Sequence, residues 1–286
     1  MNLREARIED TTVCGSILFD AFRSIAEKHN FPLDFPTTES ARGMAEMVVN
    51  NSKVYGVVAE KNGKIVGSNF LWEHDEIKGV GPITIAPEVQ SNGVGRKLME
   101  AVIERGKNAR GIRLVQDAFN SASLSLYASV GFEVVEPLVL MEGNLKEPEF
   151  AGDVEIRRIE ENDFDGCADL CRRTHGFDRT NELRQTSGQF ESFVALYEGS
   201  VVGYASAPNI WQLNHAVAES FEDMKLILAG AAILSGKPLS FLLPTRQSEL
   251  FRWCLKQGMR VVKPMTLMAM GEYEHPKGFY LPSVLY

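Results

Sequence analysis

No excess of positive charge marks this 286-residue chain: 30 basic residues face 38 acidic ones, a formal net charge of −8. Split at residue 150, the halves carry 16 basic with 21 acidic and 14 basic with 17 acidic residues, so they stand at −5 and −3. Phosphate backbones want a basic face, so nucleic acid is excluded as the main partner. Long apolar runs are missing too. None approaches the ~18 residues of a membrane span, and the longest, Leu226 to Leu234, is interrupted by Gly230 and reads as a buried helix. No membrane partner is expected. The opening Met-Asn-Leu-Arg-Glu has neither a signal-peptide apolar region nor a myristoylation glycine, and a cytoplasmic location is expected. Cysteine is scarce: four residues, Cys14, Cys167, Cys171 and Cys254, with no C-x-x-C pair. Cys167 and Cys171 stand i, i+4 on an expected helix, but no His or Cys pair stands beside them, so no metal is expected. They read as reduced core thiols.

What is present suffices for proper cores: 44% hydrophobic and 24% charged residues, ordinary for a globular protein. The length suggests about two domains of ~150 residues. Leu3 to Ile8 reads as a strand, and Asp10 as the N-cap of a helix from Thr11 to about His29 with Val13, Ile17, Leu18, Phe22 and Ile25 at helical spacing. Pro32 and Pro36 end it, and a second helix runs from about Thr38 to Val49. Val54 to Glu60 and Lys64 to Trp72 form a hairpin about Asn62-Gly63, and Ile77 to Ile85 is a third strand. Then come a helix (Val94 to about Asn108), a strand (Arg113 to Phe119), a short helix (Ser121 to Val130) and a strand (Phe132 to Met141). Pro137 predicts an edge position or a bulge for that last strand. The polar stretch 143–153 sets the domain boundary, giving domains 1–145 and 154–286. The second half repeats the order of the first. Val154 to Ile159 echoes the opening strand, and a hairpin about Glu198-Gly199-Ser200 echoes the first.

One stretch joins a strand end to an amphipathic helix through glycines: Ile83-Thr84-Ile85-Ala86-Pro87-Glu88-Val89-Gln90-Ser91-Asn92-Gly93-Val94-Gly95-Arg96-Lys97. Glycines let backbone approach a ligand, the free amides of a first helical turn point at it, and the helix dipole favours an anion there. Arg96 and Lys97 add positive charge. The spacing fits neither a Walker loop nor a Rossmann fingerprint. A second stretch, Asn120 to Phe132, reads N-x-x-S-x-x-L-Y-x-x-x-G-F and begins 25 residues after Gly95.

Together the two stretches resemble the acetyl-CoA signature of the GNAT superfamily of acetyltransferases, a Q/R-x-x-G-x-G/A loop followed by N-x-x-A-x-x-L-Y-x-x-x-G-F, with Ser123 where Ala is common. The resemblance covers residues 2–145 well and the rest faintly. It implies an α+β fold of two GNAT-like domains, each a mixed, largely antiparallel sheet flanked by helices, with the second degenerate. It implies acetyl-CoA as co-substrate and N-acetyl transfer to a primary amine on a small-molecule or peptide acceptor. Ile83, Thr84 and Ile85 would line the gap that takes the pantetheine arm. Gln90, Ser91, Asn92, Gly93, Val94, Gly95 and Arg96 would hold the pyrophosphate. Asn120 and Ser123 would flank the arm, and Tyr127 would face the thioester sulfur. Aminolysis expels a thiolate, and a phenol within reach can supply its proton. For a general base, Glu73, His74, Asp75, Glu76 and Asp117 are the nearby side chains, with a water chain or backbone carbonyl as the alternative. An O-acyltransferase, a longer-chain acyltransferase and a non-catalytic acyl-CoA-binding regulator remain alternatives. In the second half, the loop Asn214 to Asp223 stands where phosphates would sit and offers Glu219, Glu222 and Asp223 instead of glycines. Phe251 or Trp253 takes the place of Tyr127.

Overall fold

The computed structural model describes the chain except Ser91, Asn92, residues 149–152, Leu285 and Tyr286. It divides into two compact units, Met1–Val134 with Met268–Gly271, and Val135–Leu267 with Glu272–Tyr286.

The first unit opens with β1 (Asn2–Glu5), α1 (Thr11–His29), α2 (Thr38–Val49), β2 (Val54–Lys61) and β3 (Lys64–Trp72). It continues with β4 (Ile77–Val80), β5 (Thr84–Ile85), α3 (Val94–Gly106), β6 (Gly111–Asp117) and α4 (Ser121–Ser129). Its sheet runs β1-β2-β3-β4-β6, with β5 paired to β3. β4 and β6 are parallel, and the neighbours from β1 to β4 are antiparallel. The core is built where the apolar stripe of α3 (Leu98, Met99, Val102) meets Ile112, Leu114, Tyr127, Phe132 and Met268. Leu18, Phe35 and Ala41 close a smaller cluster beneath α1 and α2.

The second unit holds β7 (Glu133–Gly143, from Val135 on), β8 (Val154–Arg158), α5 (Phe164–His175), α6 (Thr180–Ser187), β9 (Ser192–Tyr197) and β10 (Ser200–Ser206). After these come β11 (His215–Ala218), α7 (Phe221–Ser235), β12 (Leu239–Pro244), α8 (Ser248–Lys256), β13 (Arg260–Gly271, through Leu267) and β14 (Phe279–Leu281). A five-stranded sheet runs β14-β11-β10-β9-β8, and β7 lies between β13 and β12. The period of two sorts β9 between two cores. Phe193 and Ala195 join the cluster under α7, whereas Val194 and Leu196 face α5.

The mixed sheets flanked by helices bear out the α+β class. The internal repeat is visible in side chains. Arg4 forks onto Asp10 at 2.7 and 2.9 Å, and Arg157 forks onto Asp163 at 2.6 and 2.8 Å. In both units the aspartate also accepts a main-chain N–H three residues back and immediately precedes a helix. Each arginine holds its partner's carboxyl below the usual carboxylate range.

Several expectations need correction. The strand expected over Ile77 to Ile85 is two short strands, because the pairing with β3 shifts register between them. β7 is flanked on both sides rather than lying at an edge. Pro137 is tolerated because it stands just before the Leu138–Gly143 ladder with β12, where only its carbonyl is used, accepting from Thr245 N at 3.0 Å. β7, from Val135 on, belongs to the second compact unit and ladders with β12.

Candidate active site

A one-residue irregularity in the first sheet creates the site. Leu71 and Trp72 pair with Val80 and Gly79, whereas Gly67 and Ser68 pair with Ile85 and Thr84. Three residues, Gly81, Pro82 and Ile83, therefore stand opposite two, Asn69 and Phe70. Such a bulge bends its strand and re-aims the residues beyond it. Pro82 has no N–H to give to a ladder, and Gly81 is held from both sides. Its N–H donates to Phe70 O (2.9 Å), and Trp72 Nε1 donates to its carbonyl (2.8 Å). β4 pairs with β6 only over Ile77–Gly79 and Gly111–Arg113. Beyond the bulge, β5 stays with β3 while β6 runs on to Asp117, so the two separate. Ala86 N donates to Val66 O (2.9 Å). By the alternation of an antiparallel ladder, Ile85 then turns its main-chain groups away from β3, toward the opening. Its carbonyl accepts from Gln90 Nε2 at 3.3 Å. Thr84 is buried, its hydroxyl 3.2 Å from that of Ser68, and Ile83 sits in the bulge itself.

At the mouth of the opening, α3 begins. Gly93 is its N-cap at φ 74°, a left-handed conformation that costs glycine nothing. The first helical bond runs from Lys97 N to Gly93 O, so the amides of Val94, Gly95 and Arg96 have no intrahelical acceptor. Among the described residues no side chain caps this end, and its first turn carries no acid. Gly95 serves packing: a Cβ there would lie 2.9 Å from Ile85 Cδ1 and 3.0 Å from Leu126 Cδ2. Val94 is buried beside it. Arg96 extends along the surface, Nη2 donating to Ser129 Oγ at 2.7 Å. Ser91 and Asn92 lie outside the described residues.

Across the opening, Asn120 caps α4, its carboxamide oxygen accepting from Ser123 N at 3.2 Å. Tyr127 is 6% exposed, and its phenol is hydrogen-bonded to Ser123. Burial pushes the phenol up to about 12, the nearby Asp117 charge pushes the same way, and the Ser123 bond offsets part of it. The group is a neutral proton carrier at pH 7. The helix then ends with Phe132 N on Tyr127 O (3.0 Å) around Gly131 at φ 104°.

The structure separates the other acid–base candidates. Glu73 is gripped by Arg105 at 2.9 and 3.0 Å, Glu76 pairs with Arg110 at 3.5 Å, and His74 stacks on Trp72. Lys78 Nζ donates to the carbonyls of Glu73 and Asp75. This hairpin lies level with Gly111 on β6, six residues before Asp117, or about 20 Å at ~3.3 Å per residue. Only Asp117 shares the end of β6 nearest Tyr127. Sequence reasoning missed the aromatic wall beside it. Phe31, just after α1, stacks on Phe119 at 4.1 Å, and His29 tilts against the same ring at 5.2 Å. The signal was available in Phe119 standing directly before Asn120.

The corresponding elements of the second unit are closed. The stretch expected as a loop, Asn214 to Asp223, contains β11, a four-residue strand too short to show a period. β10 covers one edge of β11, and β14 covers the other through Ala216↔Leu281, Val217↔Tyr280 and Ala218↔Phe279. Ser220 caps α7 by accepting from Asp223 N (3.2 Å), Glu222 and Asp223 occupy its first turn, and Glu219 pairs with Arg173. The place of Tyr127 is taken by Cys254 rather than by Phe251 or Trp253. Met259 N bonds Cys254 O at 3.1 Å around Gly258, as Phe132 bonds Tyr127 around Gly131. Cys254 is sealed in an apolar cluster, which pushes its thiol up to about 12.

Residues 51–134 match the family model of the acetyltransferase (GNAT) domain. The GNAT fold extends over nearly the whole chain. A Pyrococcus horikoshii protein assigned to the acetyltransferases superposes with a TM-score of 0.75 at 18% identity, covering 97% of this chain and 93% of that one. A GCN5-related N-acetyltransferase from Sphaerobacter thermophilus gives 0.61 at 15% identity, with 96% of each chain covered. A tandem GNAT protein from the clavulanic acid biosynthesis pathway gives 0.59 at 11%, covering 96% and 99%. The UPF0157 protein YqkA of Bacillus subtilis is 28% identical over 85 residues, which are 30% of this chain and 25% of that protein. The match thus spans about a quarter of that relative's length. Residues 51–134 thus match a GNAT acetyltransferase domain, and the chain has a GNAT-like fold over nearly its whole length, as a tandem GNAT protein does. No helix among the described residues is long and apolar enough to cross a membrane.

Proposed function

We propose that the first unit is an N-acetyltransferase that moves an acetyl group from acetyl-CoA to a primary amine on a small-molecule or peptide acceptor. The observation that carries the reading is the opening between β5 and β6, with a helix N-terminus that no described side chain caps at one side and a buried neutral phenol at the other. The residues fit the co-substrate. Ile85 offers main-chain groups to an extended amide-bearing arm, strand fashion. The amides of Val94, Gly95 and Arg96, with the helix dipole behind them, suit a pyrophosphate, and Gln90, Ser91, Asn92 and Gly93 complete that loop. Ile83, Thr84, Asn120 and Ser123 shape the walls. Acetyl-CoA, when bound, supplies an activated thioester whose aminolysis releases a thiolate.

Tyr127 holds its proton at neutral pH and gives it up at Oη, while Ser123 fixes the direction of that hydroxyl. Asp117 is the side chain placed to take a proton from an incoming ammonium. The Phe31–Phe119 stack forms an apolar wall for the acceptor. The second unit, with β11 covered and α7 capped, is proposed to keep a structural role.

Release of free thiol from acetyl-CoA tests this, with a panel of amines, alcohols and peptides as acceptors. Turnover with an amine is expected. Turnover only with alcohols, or only with longer acyl donors, would replace the reading with its acyltransferase alternatives. Tight binding without turnover on any acceptor would make the unit a regulator.

A further inference from the structure

The second unit carries a cluster that the acyl-transfer reading does not use. Cys171 and His175 lie one helical turn apart on α5, and β11 brings His215 against them. Sγ of Cys171 and one ring nitrogen of each histidine all lie within 4.8 Å of one another. The three residues are 1%, 5% and 2% exposed. Among the described residues His215 Nε2 is buried without a hydrogen-bond partner, an unfavourable arrangement unless something takes it up. The rings of His175 and His215 are 5.8 Å apart at 44°, neither stacked nor edge-on. The sequence pattern is Cys-x-x-x-His on a helix plus a distant histidine. Pairing Cys171 with Cys167 instead of with His175 hid it.

We propose that Cys171, His175 and His215 form a metal site in the second unit that takes zinc through one thiolate and two imidazoles. The donor set is the borderline-soft N/S mixture that zinc prefers. Bonds of ~2.0–2.3 Å in a tetrahedral site place ligand atoms about 3.3–3.6 Å apart, so a closure of at most about 1.5 Å completes it. Three protein ligands leave the fourth position to a water.

The surroundings suit a bound cation. Neutral imidazole is the form that ligates, and both rings are enclosed by the fold. The Tyr204 hydroxyl and the Arg179 main-chain N–H both donate to the Cys171 sulfur. Such donors orient and stabilise a metal thiolate. The Arg179 guanidinium is itself engaged by Glu182 and by Ser283 Oγ (3.1 Å), which offsets its charge. Binding replaces the S–H bond by S–Zn and releases the thiol proton to solvent.

The test uses the full chain, purified without a polyhistidine tag after loading with zinc chloride and dialysis. Elemental analysis is expected to find close to one zinc per chain. Loading the apoprotein with cobalt chloride is expected to give a thiolate-to-cobalt charge-transfer band that Cys171→Ser abolishes and Cys167→Ser retains. Less than a tenth of an equivalent of zinc in the wild-type chain, with no cobalt band, would overturn the proposal whatever the variants do. A full equivalent of zinc in folded Cys171→Ser or His215→Gln would overturn the ligand assignment.

Discussion

Replacing Tyr127 by Phe removes one oxygen from a ring that is otherwise packed in the first unit's core, so its effects can be separated. The phenol lifted to about 12 is some five units above neutral pH, so nearly every molecule carries the proton in the ground state. If that proton goes to the leaving sulfur, its loss should slow turnover about 100-fold, or about 2.7 kcal/mol of barrier. Packing contributes little to the difference, because Phe keeps the ring. The folded state loses a hydrogen bond to Ser123, on the order of 1 kcal/mol. The KM for acetyl-CoA should move less than threefold. Steady-state thiol release at saturating amine, from pH 6 to pH 10, gives both numbers. The wild-type profile should show no fall from this phenol below about pH 11. The same shift sets the sign for stability. A folded-state pKa above the unfolded value of ~10 contributes stability below pH 10 that is lost as pH rises toward 12, and the Phe variant should lack that alkaline loss. Turnover within threefold of wild type across the series would refute the catalytic reading and leave Tyr127 as packing.

Gly93→Asp should weaken acetyl-CoA at least tenfold, about 1.4 kcal/mol, by placing a carboxylate at the mouth of α3. At φ 74° Asp is among the residues that tolerate the conformation, so calorimetry on a folded variant is feasible, and unchanged affinity would remove the loop from the site. Titration of the wild-type chain should give one acetyl-CoA per chain, and a stoichiometry near two would mean that β14 and Ser220 do not close the second unit. Gly67→Ala would put a methyl carbon 2.6 Å from Thr84 O. Because that neighbour is backbone, β5 must shift, and a cost of about 1–3 kcal/mol with weakened acetyl-CoA binding is expected from chemical denaturation and calorimetry.

Where local signals are strong, the sequence reading and the structure coincide: α1, α2 and β3 have the expected limits because prolines, the Thr37 cap and Asn-Gly mark their ends, whereas the Asp10 side chain accepts from Arg7 N instead of capping α1. The short strand Thr84–Ile85 was hidden inside a continuous apolar run, since the register shift that isolates it is set by β3, a partner no window of sequence contains. α6, Thr-Asn-Glu-Leu-Arg-Gln-Thr-Ser, is too polar to announce itself and forms against α5. β11, His-Ala-Val-Ala, is four buried residues between sheet partners and reads equally as loop. The candidate site was legible as far as motifs reach, at the 90–96 loop, Asn120 and Tyr127. Its opening, its aromatic wall and the remoteness of Glu73 to Glu76 depend on tertiary placement. Cys171, His175 and His215 show the same limit, since only the sheet brings the third residue to the other two.

The ownership of Met268–Gly271 by the first unit has a temporal meaning. Met268 is fully buried in the core of a unit whose other residues end at Val134. A ribosome moving at about 5–20 residues per second needs roughly 7–27 s to make the intervening stretch. Through that interval the nascent first unit lacks the strand that covers Phe132 and Tyr127, so it waits with apolar surface exposed while its sibling is being made. The first unit is therefore completed only after most of the second has been made, and a chain cut after Val134 would lack part of its own core.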